Sequence, residues 1–168
     1  MDDILAYSRL AGHSFTFERV NLNDVLDEVM ANLAFEVMET KGKIQFEPLP
    51  IIEANKIQMV QLFQNLISNS LKYRKKNVPP VLKISSTMEE EGFIKIFLED
   101  NGIGIRDKYA DLVFQPFERL NPQIEGTGMG LAICKKVVVS HGGKITVKSL
   151  PDGEGSVFYI KLPERHSQ

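Results

Sequence analysis

The 168-residue sequence has no tryptophan and a single cysteine, Cys134. One thiol excludes an internal disulfide and a cysteine-built metal cage. Set in an apolar helical stretch, Cys134 reads as a small core side chain in a reducing compartment. Long hydrophobic runs are missing too. None approaches the roughly 20 residues that span a bilayer, and the N-terminus lacks the apolar core of a signal peptide. The expectation is a soluble, cytoplasmic domain. Nor does one sign of charge dominate: 20 Lys and Arg stand against 22 Asp and Glu, a formal net charge of −2. Interspersed in this way, they offer no broad field for nucleic acid or an acidic membrane, so any anion must be captured locally. Repeats and low-complexity segments are also lacking. The length suits one well-buried core better than two full domains.

What the chain does contain is a succession of periodic segments. Ile4, Leu5 and Leu10 have helical spacing but stop at Gly12, as at the tail of a longer helix. Asn21 is placed to cap a helix with an apolar face of Leu22, Val25, Leu26, Val29, Met30, Leu33 and Val37. Lys43 to Glu47 reads as a short strand, and a long helix follows from about Ile57 to Tyr73. Val81 to Met88 and Phe93 to Glu99 form a hairpin, residues 106 to 128 are irregular, and a helix runs from about Met129 to Ser140. Lys144 to Ser149 and Ser156 to Leu162 are the last two strands. This order predicts an α+β two-layer sandwich: a mixed, mostly antiparallel sheet with helices on one face.

Three features point to chemistry. On the long helix, Asn65, Asn69 and Lys72 fall at i, i+4 and i+7, a polar stripe that also gathers Gln58, Gln61 and Lys76 opposite the apolar side. Such a stripe is the solvated face of an amphipathic helix or a ligand-facing one. Asn is a poor helix former, and its amide oxygen suits a hard cation such as Mg²⁺ beside phosphate. Asp100 ends a strand and opens Asp100-Asn-Gly102-Ile103-Gly104. That segment is either plain turn chemistry or a carboxylate for an exocyclic amine, with glycines letting the backbone pass close to a base. Gly126-Thr127-Gly128-Met129-Gly130-Leu131 opens a helix whose N–H groups and dipole favour an anion. It lacks the Lys-Ser/Thr of a P-loop and falls too late for a Rossmann fingerprint. Between the loops, Phe114 and Phe117 read as a hydrophobic clip, and Arg119 lies within reach of phosphate.

In order, Asn65-Leu-Ile-Ser-Asn69-Ser-Leu-Lys72-Tyr73, Asp100-x-Gly102-x-Gly104, Phe114-x-x-Phe117-x-Arg119 and Gly126-x-Gly128-x-Gly130 resemble the N, G1, F and G2 boxes of sensor histidine kinases. The segment His141 to Ser149 is similar to that family's hairpin after the last box, so the likeness runs from about Asn21 to Leu162. The resemblance implies a Bergerat (GHKL) fold and an ATP-binding catalytic domain of a two-component kinase, with ATP and Mg²⁺ as ligands. By motif position, Asn69 would ligate Mg²⁺, with Asn65 supporting it, Lys72 would contact phosphate, and Tyr73 would pack near adenine. Asp100 would take the adenine amine, directly and through water, while Gly102, Ile103 and Gly104 shape the base pocket. Arg119 would neutralise the γ-phosphate, and Phe117 would belong to the nucleotide site. Gly126, Thr127, Gly128, Met129, Gly130 and Leu131 would form the lid hinge and phosphate cradle. Related ATPases and anti-sigma serine kinases resemble one another in placing a Glu base where Asn65 stands, and an amide cannot take that proton.

The match also departs from the family. No His-Asp/Glu-x-Arg/Lys-x-Pro acceptor box occurs: His13 and His166 read as surface residues and His141 as a helix terminator. Residues 1–12 resemble the close of the dimerisation hairpin, 13–164 the catalytic domain, and 165–168 a polar tail. The implied partners are the phosphoacceptor hairpin of the full-length kinase and a response regulator receiver domain, with no nucleic acid. A homodimer is expected of the full-length protein and a monomer of this piece. The segment after Arg119 is expected to move when nucleotide is absent. A GHKL-type ATPase and a non-catalytic nucleotide-binding scaffold are the alternative readings.

Overall fold

In a computed structural model, which describes Leu5 and residues 16–119 and 128–166, the chain folds into a five-stranded sheet backed by helices, with a separate two-stranded pair. The strands are β1 (Glu18–Asn21), β2 (Lys43–Phe46), β3 (Ile51–Ala54), β4 (Val81–Met88), β5 (Phe93–Asp100), β6 (Lys144–Ser149) and β7 (Ser156–Pro163). The α-helices are α1 (Leu22–Asn32), α2 (Ala34–Thr40), α3 (Lys56–Lys72) and α4 (Gly130–Ser140). Five strands form a sheet in the order β2-β4-β5-β7-β6. The β2–β4 pair is parallel and the rest are antiparallel, as the sandwich reading predicts.

Alternation along the strands sends one set of side chains toward the helices. Ile94, Ile96 and Leu98 of β5 and Ile160 and Leu162 of β7 are buried there, against Phe63, Leu66 and Ile67 of α3. Both long helices start where the chemistry allows. The Asn21 side chain accepts the N–H of Asn23 at 2.9 Å, and Asn55 accepts that of Gln58 at 3.0 Å, each satisfying an orphan donor of a first turn.

Two expectations are corrected and one element is added. The helix after Asn21 is two helices, because Leu33 leaves helical geometry at φ −103°, ψ 10° between α1 and α2. A small antiparallel pair, β1 with β3, carries no alternating signal of its own and forms only through tertiary pairing such as Val20 with Ile52. Gln58, placed with the polar stripe, is 3% exposed and its side-chain amide has no hydrogen-bond partner, a burial cost of about 1–3 kcal/mol.

His141 caps α4, as a terminator should, but it is also a buried strut. Its Nδ1 donates to the Val137 carbonyl at 2.7 Å and its Nε2 accepts the N–H of Asn55, the α3 cap, at 3.1 Å. That pair of partners demands the neutral ring. Burial depresses its pKa below the ordinary 6.5, with the Val137 carbonyl opposing and nearby His166 adding to the depression. The folded state then binds fewer protons than the unfolded chain. This contribution to stability is present above about pH 6.5 and is lost as the pH falls from there toward the folded value. Thermal unfolding between pH 8 and pH 5 should lose several degrees across this window, with a flatter profile in His141→Gln. His166 stacks on Phe17 with ring centroids 4.0 Å apart.

Candidate nucleotide site

One cavity lies where the C-terminal half of α3, the end of β5, the start of β7 and the first turn of α4 meet. Its walls include Asn65, Asn69, Lys72, Tyr73, Asp100, Ile103, Gly104, Gly128, Gly130 and Leu131. Residues from both glycine segments and the α3 stripe therefore share one space.

At one end, Asp100 is 8% exposed. Its Oδ1 accepts the Gly102 N–H at 2.9 Å and its Oδ2 accepts the Ser156 hydroxyl at 2.9 Å. Burial raises the carboxyl above the usual 3.8, and the donors on Gly102 and Ser156 oppose that shift. The carboxylate is fixed in place yet keeps acceptor capacity on both oxygens. Gly102 has a packing role: a Cβ there would stand 2.6 Å from the Tyr73 carbonyl oxygen, the same oxygen that accepts the Ile103 N–H at 3.0 Å. This bond ties the end of α3 to the Asp100 loop. Ile105, Val113 and Phe158 add apolar wall around the carboxylate. An apolar slot with one charge-bearing acceptor suits a flat heterocycle carrying an amine.

At the other end, α4 begins without a side-chain cap on Met129. Its first N–H groups have no intrahelical partner by geometry and form the positive end of the helix dipole. A Cβ added to Gly130 would lie 3.9 Å from Oδ1 of both Asn65 and Asn69, so the two amide oxygens converge on the helix start. Among the described residues no group of three His, Cys, Asp or Glu gathers to hold a metal. The oxygens placed here are neutral amides, which fit a Mg²⁺ ion that takes its remaining ligands from phosphate and water. Lys72 stands exposed at the rim.

Gly126 and Thr127 lie outside the described residues. The flanks of that segment are joined: the Phe117 N–H donates to the Gly128 carbonyl at 3.0 Å, with Phe117 at φ 67° and Gly128 at φ 78°. A Cβ on Gly128 would sit 2.8 Å from the Phe117 Cα, so only glycine fits there. The hydrophobic clip is half corrected. Phe114 is buried edge-on against Phe158, at 6.2 Å between centroids, but Phe117 is 63% exposed because its left-handed backbone turns it outward. Phe117, Arg119 and the buried Met129 do not line the cavity, and neither does Gly102.

Sequence reasoning missed Ser68, Ser70, Ile105, Val113, Glu118, Ser156 and Phe158. Ser68 was within reach, since it lies three residues after Asn65 and four before Lys72 on the same stripe. Ser156 was not: only the β5–β7 register sets it opposite Asp100.

Residues 54–166 match the family of histidine kinase-, DNA gyrase B- and HSP90-like ATPases. Cyanobacterial phytochrome A of Nostoc sp. is 40% identical over 165 residues, 97% of this chain and 21% of that protein. The chain spans about a fifth of the length of the curated relatives it matches. Among solved structures, the catalytic domain of the histidine kinase ThkA shares 26% identity at a TM-score of 0.77, covering 90% of this chain and 97% of that one. Full-length ShkA, solved in complex with AMPPNP, shares the fold at a TM-score of 0.82 and 22% identity, covering 96% of this chain and 34% of that one. With residues of the long-helix stripe and of both glycine segments lining one cavity, this chain belongs to the histidine kinase-, DNA gyrase B- and HSP90-like ATPase family, as an ATP-binding domain of the sensor histidine kinase type.

Proposed function

We propose that this domain binds Mg-ATP and delivers its γ-phosphate to a histidine on a separate helical hairpin, for relay to an aspartate of a response regulator. The observation that carries this reading is the two-ended cavity, with Asp100 in an apolar slot at one end and two amide oxygens converging on an uncapped helix start at the other. Asp100 takes the adenine amine, and Ile103, Gly104 and Tyr73 border the base. Lys72 and the first N–H groups of α4 take the phosphates, and Arg119 supplies charge on the γ side. Asn69, supported by Asn65, holds the Mg²⁺, which when bound neutralises phosphate charge. Gly128, Gly130 and Leu131 form the cradle of the triphosphate.

Phosphoryl transfer asks for positioning and charge neutralisation more than for covalent help from the protein. Asn65 cannot deprotonate water or a hydroxyl, which suits an acceptor that is already a nucleophile, such as neutral imidazole. The test supplies the acceptor hairpin in trans and looks for acid-labile phosphate on it. Transfer is expected; normal ATP binding without transfer sinks the kinase reading, and steady ATP turnover by the chain alone replaces it with an ATPase. In Asn69→Ala, the affinity gained on adding Mg²⁺, measured by calorimetry against an EDTA control, should fall about tenfold, or ~1.4 kcal/mol. An unchanged Mg²⁺ effect would remove the metal role from Asn69.

A further inference from the structure

Helices cover one face of the five-stranded sheet, and the other face carries a charge arrangement that folding alone does not call for. Lys95 of β5 stands directly opposite Lys161 of β7, and Lys161 directly opposite Lys144 of β6. Side chains paired in this way share a face with Cβ atoms about 4.5–5.5 Å apart, and like charges so placed destabilise a sheet. Two rows along, Lys83 and Lys148 flank Glu99 and Val157 on the same face. At these strand positions five lysines meet one carboxylate, in a chain whose net charge is −2. Glu47 borders the same face beside Lys83 and Glu99, and lysines still outnumber carboxylates there.

The ammonium groups are also held in place. The Lys95 Nζ lies 5.2 Å from the Tyr159 ring centroid and 5.8 Å from that of Phe97, and the Lys161 Nζ lies 4.8 Å from the Phe93 centroid. Phe97 and Tyr159 meet edge to face at 5.5 Å. The result is a sheet face with aromatic rings beneath two of its cations.

We infer that this outer sheet face docks a partner protein through a carboxylate-rich surface, independently of the nucleotide site on the helical side. Charge complementarity selects an anionic partner, and two details select protein. The Phe97 and Tyr159 rings are engaged with each other and with Lys95, so they offer no open face for a stacked base. The apolar side chains of these rows, Phe93, Phe97 and Val157, are half-buried or buried, so none is exposed to enter a bilayer.

The test measures anisotropy of labelled poly-L-glutamate with the 168-residue chain at 50 mM and 300 mM salt, beside a labelled 20-base-pair DNA and phosphatidylserine–phosphatidylcholine vesicles. Variants are Lys95→Glu/Lys161→Glu on the face and Lys41→Glu/Lys56→Glu off it, which change net charge equally. Unfolding temperature and ATP affinity confirm an intact fold and site. Poly-glutamate binding that weakens at least tenfold in the face variant, less than twofold in the control variant, and falls with salt is expected. If the double variant unfolds, Lys144→Glu replaces it, with a threefold or greater loss expected. No poly-glutamate binding, equal loss in both variants, or tighter binding to DNA or vesicles would overturn the inference.

Discussion

In Asp100→Asn, nucleotide affinity should collapse while the fold holds or gains stability. The buried carboxylate of Asp100 offers charge-assisted acceptors to the base end of the cavity. Replacing a charged acceptor by an amide forfeits about 1.5–3 kcal/mol, an affinity loss of roughly 10- to 150-fold. The native contacts survive, since the Asn oxygen can still accept from Gly102 and the amide can donate to the Ser156 hydroxyl. Stability should move the other way from an ordinary surface carboxylate. Burial raises the Asp100 pKa above 3.8, so between that value and the folded pKa the native state binds the extra proton. Its ionised form therefore costs stability at neutral pH, and the cost disappears as the pH falls through the folded pKa. Three measurements check this: calorimetric ATP binding at pH 7, the unfolding temperature of both proteins, and the acid limb of the binding profile. That limb should be present in the native chain and absent in Asp100→Asn. Unchanged affinity would remove Asp100 from the site.

Gly155→Ala should have the opposite signature, loss of fold and of binding together. Gly155 sits at φ 129°, where L side chains are strained, and a Cβ there would collide with the Asp100 carbonyl oxygen. Neither atom has freedom to retreat. Asp100 is paired with Ser156 across β5 and β7, and the Gly155 carbonyl accepts the Leu150 N–H at 2.8 Å. Backbone strain with a backbone clash belongs to the few changes that cost more than about 4 kcal/mol. At about 2–4 °C per kcal/mol for a chain of this size, the unfolding temperature should drop by roughly 8–16 °C or more. Because the clash falls on Asp100 itself, ATP affinity should fall in whatever protein remains folded. A variant that unfolds normally would show that the β5–β7 crossing tolerates a side chain.

The contrast between these two positions shows how far the sequence could be read. Asp100 announces itself by ending an alternating strand and opening a glycine pair, which is local information. Gly155 looks like any glycine in Pro151-Asp-Gly-Glu-Gly155, because the strand it touches is distant in sequence. Strands β4 to β7 and helices α3 and α4 were legible from periodicity, since each buries a face large enough to impose it. The β1–β3 pair, the break at Leu33 and the burial of Gln58 were not, because tertiary pairing and packing override weak local preference.

Type and order of chemistry were set by the sequence alone: the amides at 65 and 69, the carboxylate at 100 and the glycines at 102, 104, 128 and 130, with the family they resemble. Tertiary structure decided which of these share a space. It brought the Asn65 and Asn69 oxygens to the start of α4, set Ser156 on Asp100, and turned Phe117 out to solvent. It also set Lys83, Lys95, Lys144, Lys148 and Lys161 on one face of the sheet. Sequence periodicity fixes the face a residue takes within its own element, but strand register and helix packing alone fix its neighbours across the fold.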